Sequence, residues 1–465
     1  MNAQSVERHE VVVIGAGQAG LAAGYHLARR GIEFAILEAS AHVGDVWRDR
    51  YDSLLLYSPA RYDALPKHPI PLGRNVFPTG AQMGDYLEAY VAHHRLPVQT
   101  GIRVNSLRAA SDLGDGYLIT AGPRTYGANQ VIVATGAFQR PHVPEFAAQL
   151  DPQIRQLHSA DYRNPGQLAH GPVLVVGVSH SGADLAYEVA AAGHPTMLSG
   201  KDHGQLPFSV DSRRGMLAWP IMRFVAWNLL TLSTPIGRKM APLVRKGGGP
   251  LLRIRRGDLE RAGVERFEAR TSGVSDGRPM LADGLVLDVA NVIWCTGFRP
   301  DYGWIELPVI GEDGWPIEYR GVVDLSPGLY FLGIPFLYSF TSMLVIGAAR
   351  RGLRRRAGRA ALSVGPLIAT DPAQRAARLA DLQRARGRFR PTSVRRRRRA
   401  RIRPGRGLPA AVRAEGLGAR LRRNDRGNRH GQRPTAVHQQ PGRLRGHHAI
   451  VTIDIDRTSS RNCTA

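Results

Sequence analysis

The stretch Val11-Val-Val-Ile-Gly-Ala-Gly-Gln-Ala-Gly20 has the same sequence pattern as Val173-Leu-Val-Val-Gly-Val-Ser-His-Ser-Gly182. In each, an apolar run typical of a buried strand leads into a glycine-rich turn, and a helix is predicted to follow. Glycines at such a turn let the backbone approach a pyrophosphate closely, and the N-terminus of the helix supplies N–H donors. Two such units predict a protein that binds two dinucleotides.

The residues after the first turn indicate which dinucleotide it holds. A helix is predicted over 21–30 with Gly31 as its C-cap, and a strand over 33–37 delivers Glu38 at its end. A carboxylate at this position can accept hydrogen bonds from both ribose hydroxyls and would repel a 2′-phosphate. The first site is therefore predicted to bind FAD or NAD through Glu38 and the three glycines of the turn, Gly15, Gly17 and Gly20.

The second unit ends in different chemistry. Its helix is predicted over 183–192 with Gly193 as C-cap, and the next strand ends near Leu198 with no acid after it. The following hydroxyl and ammonium would favour a phosphate, although an ordinary surface lysine is the alternative for Lys201. A serine replaces the usual second glycine of the turn and is small enough for a phosphate to approach. This site is predicted to bind NADPH through Gly177, Ser179, Ser181, Gly182, Ser199 and Lys201.

Two more strand-like runs end in Thr-Gly, where the chain must turn sharply. They are Val131-Ile-Val-Ala-Thr-Gly136 and Val292-Ile-Trp-Cys-Thr-Gly297. Both are predicted to be closing strands that bring the chain back across a cofactor.

Four short motifs make the chain resemble the flavin-containing monooxygenase family. They are Gly44-Asp-Val-Trp47, the Gly-x-Ser-x-Ser-Gly form of the second turn, His158-Ser-Ala-Asp-Tyr162 and Cys295-Thr-Gly-Phe298-Arg-Pro300, and the resemblance covers residues 10–349. It implies that NADPH reduces FAD and that the reduced flavin captures O2 as a C4a-(hydro)peroxide. One oxygen atom would then pass to a small organic substrate with a nucleophilic nitrogen or sulfur, or to a carbonyl compound.

The resemblance also implies that Trp47 and Arg48 lie near the flavin. Each has a simpler alternative, because Trp47 could fill a domain seam and Arg48 could pair with Asp45 or Asp49. The flavin site is expected to be completed by Thr135, Thr296 and Gly297.

The candidate catalytic residues are Arg48, Ser58 and His158. The alternative for His158 is to pin the crossing between the two domains. Ser58 and the nearby Asp52 either line a substrate pocket or belong to an ordinary loop.

Two departures from related enzymes leave the substrate open. Pro152 and Ile154 occupy the Phe and Gly positions of the Phe-x-Gly-x-x-x-His signature of Baeyer-Villiger monooxygenases, and 51–59 lacks the asparagine that heteroatom-oxidising members often place near the flavin. Two other functions therefore remain. One is an NADPH-dependent flavin oxidase or reductase without oxygen transfer, and the other is a catalytically impaired nucleotide-binding flavoprotein.

The predicted fold class is α/β, with two Rossmann-like, three-layer dinucleotide-binding domains. The NADPH domain (166–286) is predicted to be inserted into an FAD domain made of 1–165 and 287–349. Ligands are expected at the carboxyl ends of the parallel strands, in the cleft between the domains.

The chain's net charge of +25 lies entirely in its last quarter. Residues 350–465 contain 31 Arg, no Lys and 6 acidic residues, whereas the preceding part carries equal numbers of basic and acidic side chains. The low apolar content of this tail predicts disorder. It is either an arginine-rich arm for nucleic acid or an acidic partner, or, as we favour, the product of a frameshift, because GC-rich codons out of register yield such a composition.

The cysteines and the hydropathy of the chain bear on its chemistry and location. Cys295 and Cys463 form neither a disulfide framework nor a metal-ligand spacing, and the absence of Cys-x-x-Cys excludes a thioredoxin-reductase type of enzyme. With no signal peptide predicted, a cytoplasmic location is expected. The apolar segment 216–232 is too short and interrupted to span a membrane, and is either a helical insertion over the NADPH domain or substrate entrance, or an interfacial membrane contact.

Overall fold

A computed structural model describes residues 6–110, 116–245 and 247–348 of the chain. The predictions made for 350–465 lie outside these residues. The strands, in chain order, are β1 (Val6–Ile14), β2 (Phe34–Leu37), β3 (Val98–Gln99), β4 (Ser106–Ala109), β5 (Tyr117–Ala121), β6 (Arg124–Val133), β7 (Arg140–Pro141), β8 (Arg155–His158), β9 (Val173–Val176), β10 (Thr196–Ser199), β11 (Glu265–Phe267), β12 (Thr271–Ser275), β13 (Arg278–Leu281), β14 (Asn291–Trp294), β15 (Phe298–Arg299) and β16 (Leu329–Phe331).

Nine α-helices lie within the described residues, and several are single turns. They are α1 (Gln18–Ala28), α2 (Asp45–Arg48), α3 (Ala60–Asp63), α4 (Gly80–His94), α5 (His180–Ala191), α6 (Arg213–Phe224), α7 (Pro235–Arg245), α8 (Arg256–Arg261) and α9 (Val345–Ala348). Helix α4 is the best capped, because the Thr79 hydroxyl accepts from Gln82 N while the Gln82 side chain accepts from Thr79 N.

The first sheet is built around β1. Its strand order is β3-β2-β1-β6-β5-β4, and β16 also pairs with β6. The strands β3, β2, β1, β6 and β16 run parallel, whereas β4 and β5 are antiparallel to their neighbours. The last four residues of β1 and all of β2 are buried, as expected of apolar strands covered on both faces.

The second sheet is parallel throughout and has the order β11-β10-β9-β14-β8. Helix α5 packs against β9 and β10, in the same way that α1 packs against β1 and β2. Both helices begin three residues earlier than predicted, because the last three residues of each glycine turn already have helical backbone. The two strand–turn–helix units are thus confirmed.

The second sheet extends beyond the range predicted for the NADPH domain. Its strands β8 and β14 lie outside 166–286, and β14 pairs with β9 and β8 instead of joining the first sheet. The Val292–Gly297 run is therefore the closing strand of the second sheet. Among the described residues that follow β14, the strand that returns to the first sheet is β16, which pairs with β6. The domain boundaries themselves stay a prediction.

The apolar segment 216–232 forms most of α6 and a π-helical turn, Val225–Leu229. It contacts the chain beyond β16, since Leu232 N donates to Tyr338 O and Phe340 N donates to Leu230 O, each at 2.9 Å. Within the described residues, no helix has both the length and the apolar character needed to cross a membrane.

Candidate dinucleotide and substrate site

The two glycine turns make the same steric demand. A Cβ on Gly20 would lie 1.9 Å from the carbonyl oxygen of Gly15, and a Cβ on Gly182 would lie 1.8 Å from that of Gly177. Both distances are far below van der Waals contact. Each helix therefore starts so close to its own turn that only glycine fits at the third position of the motif.

The first glycine of each turn packs against the end of a closing strand. Gly15 has φ +104° and a Cβ there would lie 2.7 Å from Ala134 O, while Gly177 has φ +115° and a Cβ would lie 2.4 Å from Cys295 O. The left-handed backbone and the close approach together exclude other residues. Each turn thus has a Thr-Gly strand end as its neighbour.

The first turn offers the donors and space that a flavin dinucleotide needs. A Cβ on Gly17 would meet no atom within 4 Å, so the middle of the turn is open. The Glu38 carboxylate lies beside it, where Oε2 accepts from Ala16 N (2.7 Å) and Oε1 accepts from Ser40 N (2.9 Å). These contacts fix the carboxylate at the strand end, where it fits the ribose of a dinucleotide.

Trp47 lies at the seam between the two main hydrophobic cores and packs against both. This is the space-filling role given as its alternative. Its indole Nε1 is nevertheless buried and has no hydrogen-bond partner among the described residues. A buried indole N–H needs an acceptor, and a flavin ring would provide one.

Arg48 is held by carboxylates. Its guanidinium lies 3.3 Å from Asp45, 2.9 Å from Asp85 and 2.6 Å from Glu88. Of the two alternative partners, Asp45 is the one that pairs with Arg48, while Asp49 pairs with Arg163. The contacts of Arg48 join α2 to α4 and support a structural role.

The second turn is covered by a glycine loop. Ser179 Oγ accepts from Gly249 N at 3.0 Å and lies 3.3 Å from Gly249 O, so 247–249 sits over the N-terminus of α5. Ser181 lies in the first turn of that helix. Ser199 is fully buried and its hydroxyl bonds to Thr271 Oγ1 at 2.6 Å, so no contact of this side chain supports its predicted role, which stays a prediction.

A cluster of cations follows β10. Lys201 is exposed, and its neighbour Asp202 accepts from Arg256 and Arg266 at 2.8 Å each. Hydrogen bonds from Arg256 above all hold the pKa of Asp202 well below its usual range. Lys201, Arg256 and Arg266 thus bring three cations to this strand end, which suits a 2′-phosphate, while Glu260 and Glu268 also act on Arg256. Arg256 and Arg266 gave no signal in sequence, because they are distant from the turn.

The two Thr-Gly strand ends meet. The ring of Phe138, two residues beyond Gly136, and that of Phe298, directly after Gly297, lie edge to face at 5.3 Å. The Arg50 guanidinium lies over both rings, at 5.7 and 5.2 Å. The structure therefore brings together the closing strands of both sheets.

Of the predicted Thr-Gly residues, only Thr135 follows a strand of the first sheet. Its hydroxyl accepts from Gln139 Nε2 at 2.8 Å. Thr296 and Gly297 instead follow β14, and the Thr296 hydroxyl bonds to His142 O. They lie beside the second turn because β14 pairs with β9, and their predicted part in the flavin site stays a prediction.

His158 pins this crossing. The ring is buried, Nε2 lies 3.0 Å from Gly297 O, and Nδ1 accepts from Ala160 N at 3.1 Å. Nε2 must then carry the proton and donate it to the carbonyl. Burial lowers the pKa of His158, so the ring is neutral at pH 7. These contacts support the alternative role.

Ser58 is hydrogen-bonded to an acid that the sequence did not single out. Its hydroxyl donates to Asp63 Oδ1 at 2.6 Å, and Asp63 is fully buried at the end of α3. Burial raises the pKa of Asp63 to about 7. Asp52 lies apart, with its carboxylate on Asn164 Nδ2 at 2.7 Å, so the structure does not bring Asp52 and Ser58 into one network.

A second buried acid connects α5 to the loop after α2. Asp184 Oδ2 accepts from the Tyr57 hydroxyl at 2.7 Å and lies 3.5 Å from Arg253 Nη1, while Arg253 also donates to Leu55 O and Leu56 O. Burial raises the pKa of Asp184, although Arg253 opposes the shift. Nothing in the local sequence marks these residues, which meet only through the fold.

Cys295 offers no thiol chemistry. It lies beside the second turn, and burial raises the pKa of its thiol to about 12. The thiol is protonated at neutral pH and is a poor nucleophile.

Comparisons with known proteins agree with this architecture. Residues 12–213 match the family model described as pyridine nucleotide-disulphide oxidoreductase. A CzcO-like oxidoreductase, termed uncharacterized, from Geobacillus kaustophilus is 36% identical over 343 residues, which cover 73% of this chain and 94% of the relative. The indole-3-pyruvate monooxygenase YUCCA1 of Oryza sativa is 32% identical over 366 residues, covering 71% and 89%.

Among solved structures, a flavin-containing monooxygenase from Stenotrophomonas maltophilia is similar, with a TM-score of 0.59 and 28% identity. The match covers 74% of this chain and 96% of that one. The fold and site thus define a flavin-dependent oxidoreductase of the monooxygenase type. The chain belongs to the family of the CzcO-like oxidoreductases.

Proposed function

We propose that the enzyme binds FAD at the first glycine turn and NADPH at the second, and transfers one oxygen atom of O2 to a small organic substrate. The substrate would carry a nucleophilic nitrogen or sulfur, or a carbonyl group. The observation that carries the proposal is the pairing of two glycine turns of the same steric design with different charged groups at their strand ends. Glu38 follows the first and a cationic cluster follows the second.

The residues that would hold FAD are those of the open first turn, with Glu38 for the ribose and Trp47 Nε1 as a donor that lacks a partner among the described residues. NADPH would lie over Gly177, Ser179, Ser181 and Gly182, with Lys201 near its 2′-phosphate. FAD supplies two-electron transfer from NADPH and activation of O2. Arg50, over the rings of both Phe138 and Phe298, would help to hold the two strand ends together, and His158 would support the second through Gly297.

Relatives support the oxygen-transfer part. The rice enzyme's name gives indole-3-pyruvate as its substrate, an organic acid with a carbonyl group. This chain has only two cysteines, Cys295 and Cys463, far apart in sequence, so the dithiol that a disulfide reductase of the thioredoxin type requires is lacking. An NADPH oxidase that releases peroxide is the competing function.

The test is a coupled measurement on the full-length protein reconstituted with FAD. NADPH is mixed anaerobically to follow bleaching of the flavin, with NADH as the matched control, and O2 is then added with an amine, a thioether or a ketone. We expect faster bleaching with NADPH and oxygenated product close to one per NADPH for one substrate class. Stoichiometric hydrogen peroxide with every class would establish the oxidase, and no bleaching by either nucleotide would refute both.

A further inference from the structure

Two helices carry large apolar side chains on their exposed faces. On α6, Leu217, Ile221 and Phe224 are 81%, 67% and 59% exposed, and their spacing of four and three residues puts them on one face. On α7, Ile236 and Leu243 are 58% and 54% exposed and lie two turns apart. We call the exposed part of 213–245 the 213–245 surface. Contiguous exposure of this kind marks an interaction site.

The same surface is uniformly basic. From 212 to 257 the sequence has no Asp or Glu. Four basic residues of this surface are exposed. Two lie at the start of α6 and two in α7, namely Arg213, Arg214, Arg238 and Lys239. Amphipathic helices with apolar residues on one side and Lys and Arg around them are typical of segments that lie in the headgroup region of a bilayer.

The inner side of this segment packs close to the Ser58–Asp63 pair. The Trp219 ring lies 5.7 Å from the ring of Tyr62 in α3, and the Arg223 guanidinium lies 5.1 Å from the same tyrosine ring. A ligand on the 213–245 surface would thus be one helix thickness from α3.

We propose that the 213–245 surface binds the surface of an anionic lipid bilayer. The apolar side chains would enter the acyl boundary while the cations contact anionic lipid headgroups. Charge disfavours the two other occupants that the chain itself offers. The tail 350–465 contains 31 Arg, and a second copy would place basic surfaces against each other.

The test uses the full chain with vesicles of phosphatidylcholine alone or with 30 mol% phosphatidylglycerol, some carrying brominated acyl chains that quench tryptophan. The tail also binds anionic vesicles electrostatically, so binding is measured at about 0.1 and 0.5 M salt, because high salt screens exposed charges. The variant is L217S/I221S/F224S. Its matched control is L285S/I317S/L325S, three residues that are 45%, 49% and 65% exposed elsewhere.

We expect quenching by anionic vesicles that persists at 0.5 M salt, survives in the control and is lost in the variant. R214E/K239E should weaken binding at 0.1 M salt by at least about tenfold. Equal quenching in variant and control, or complete loss of quenching at 0.5 M salt in the parent, would overturn the proposal, and an acidic protein would then be the partner to seek. Circular dichroism establishes that each variant is folded.

Discussion

The Ser58 hydroxyl donates a 2.6 Å hydrogen bond to Asp63 Oδ1, while Oδ2 of the same carboxyl is buried without a partner among the described residues. Helix α3, which ends at Asp63, packs against α9, and α9 in turn packs against α1 beside the first glycine turn. Burial raises the pKa of Asp63 to about 7 and the bond from Ser58 only partly opposes the shift. A carboxyl group that keeps its proton near neutral pH therefore lies close to the predicted flavin site.

Asp63→Asn should make the free energy of unfolding less dependent on pH. The folded state raises the pKa of Asp63 from 3.8 to about 7, so between these values it binds a proton that the unfolded state has released. The contribution of Asp63 to the free energy of unfolding is largest below pH 4 and decreases as the pH rises to 7. Above pH 7 it no longer changes with pH. The loss is at most about 4 kcal/mol. Urea unfolding at pH 5 and 8 should show a smaller difference in the variant. An unchanged difference would contradict the assignment.

Arg253→Met should destabilise the protein by about 3 to 5 kcal/mol, because Asp184 would stay buried without its cation. Unfolding by urea, followed by circular dichroism, measures the change. Arg261→Met is the matched control, since the Arg261 side chain is 75% exposed and its loss should change stability by under about 1 kcal/mol. Equal effects of the two substitutions would show that the Asp184 network does not support the fold.

Lys201→Ala should reduce the affinity for NADPH about tenfold and leave that for NADH unchanged, because only the 2′-phosphate would contact the ammonium. Titration of flavin bleaching with each nucleotide gives both affinities, and Arg261→Ala again serves as control. Parallel loss for both nucleotides would place Lys201 outside the phosphate site. No change for either would return it to the role of an ordinary surface lysine.

Local pattern was sufficient to predict both strand–turn–helix units, because the glycine spacing, the helix and the strand end all lie within about thirty residues. The local pattern did not predict which sheet each Thr-Gly strand would join. Both Thr-Gly runs look alike in sequence, and only tertiary register decides that β14 joins β9. The hydrogen bond of Ser199 gave no local signal either, since its partner Thr271 lies 72 residues away. Asp63 and Asp184 acquire their significance from burial, which depends on distant elements.

We propose that each glycine turn serves one cofactor, and the substitutions Gly17→Leu and Ser179→Leu separate the two turns. These residues occupy the same position in the two turns, where a large side chain would block a pyrophosphate. Flavin content and anaerobic bleaching by NADPH are measured for both. We predict that Gly17→Leu is purified without FAD, whereas Ser179→Leu keeps FAD but is not bleached by NADPH. Loss of FAD in Ser179→Leu with full retention in Gly17→Leu would contradict this assignment of the two turns.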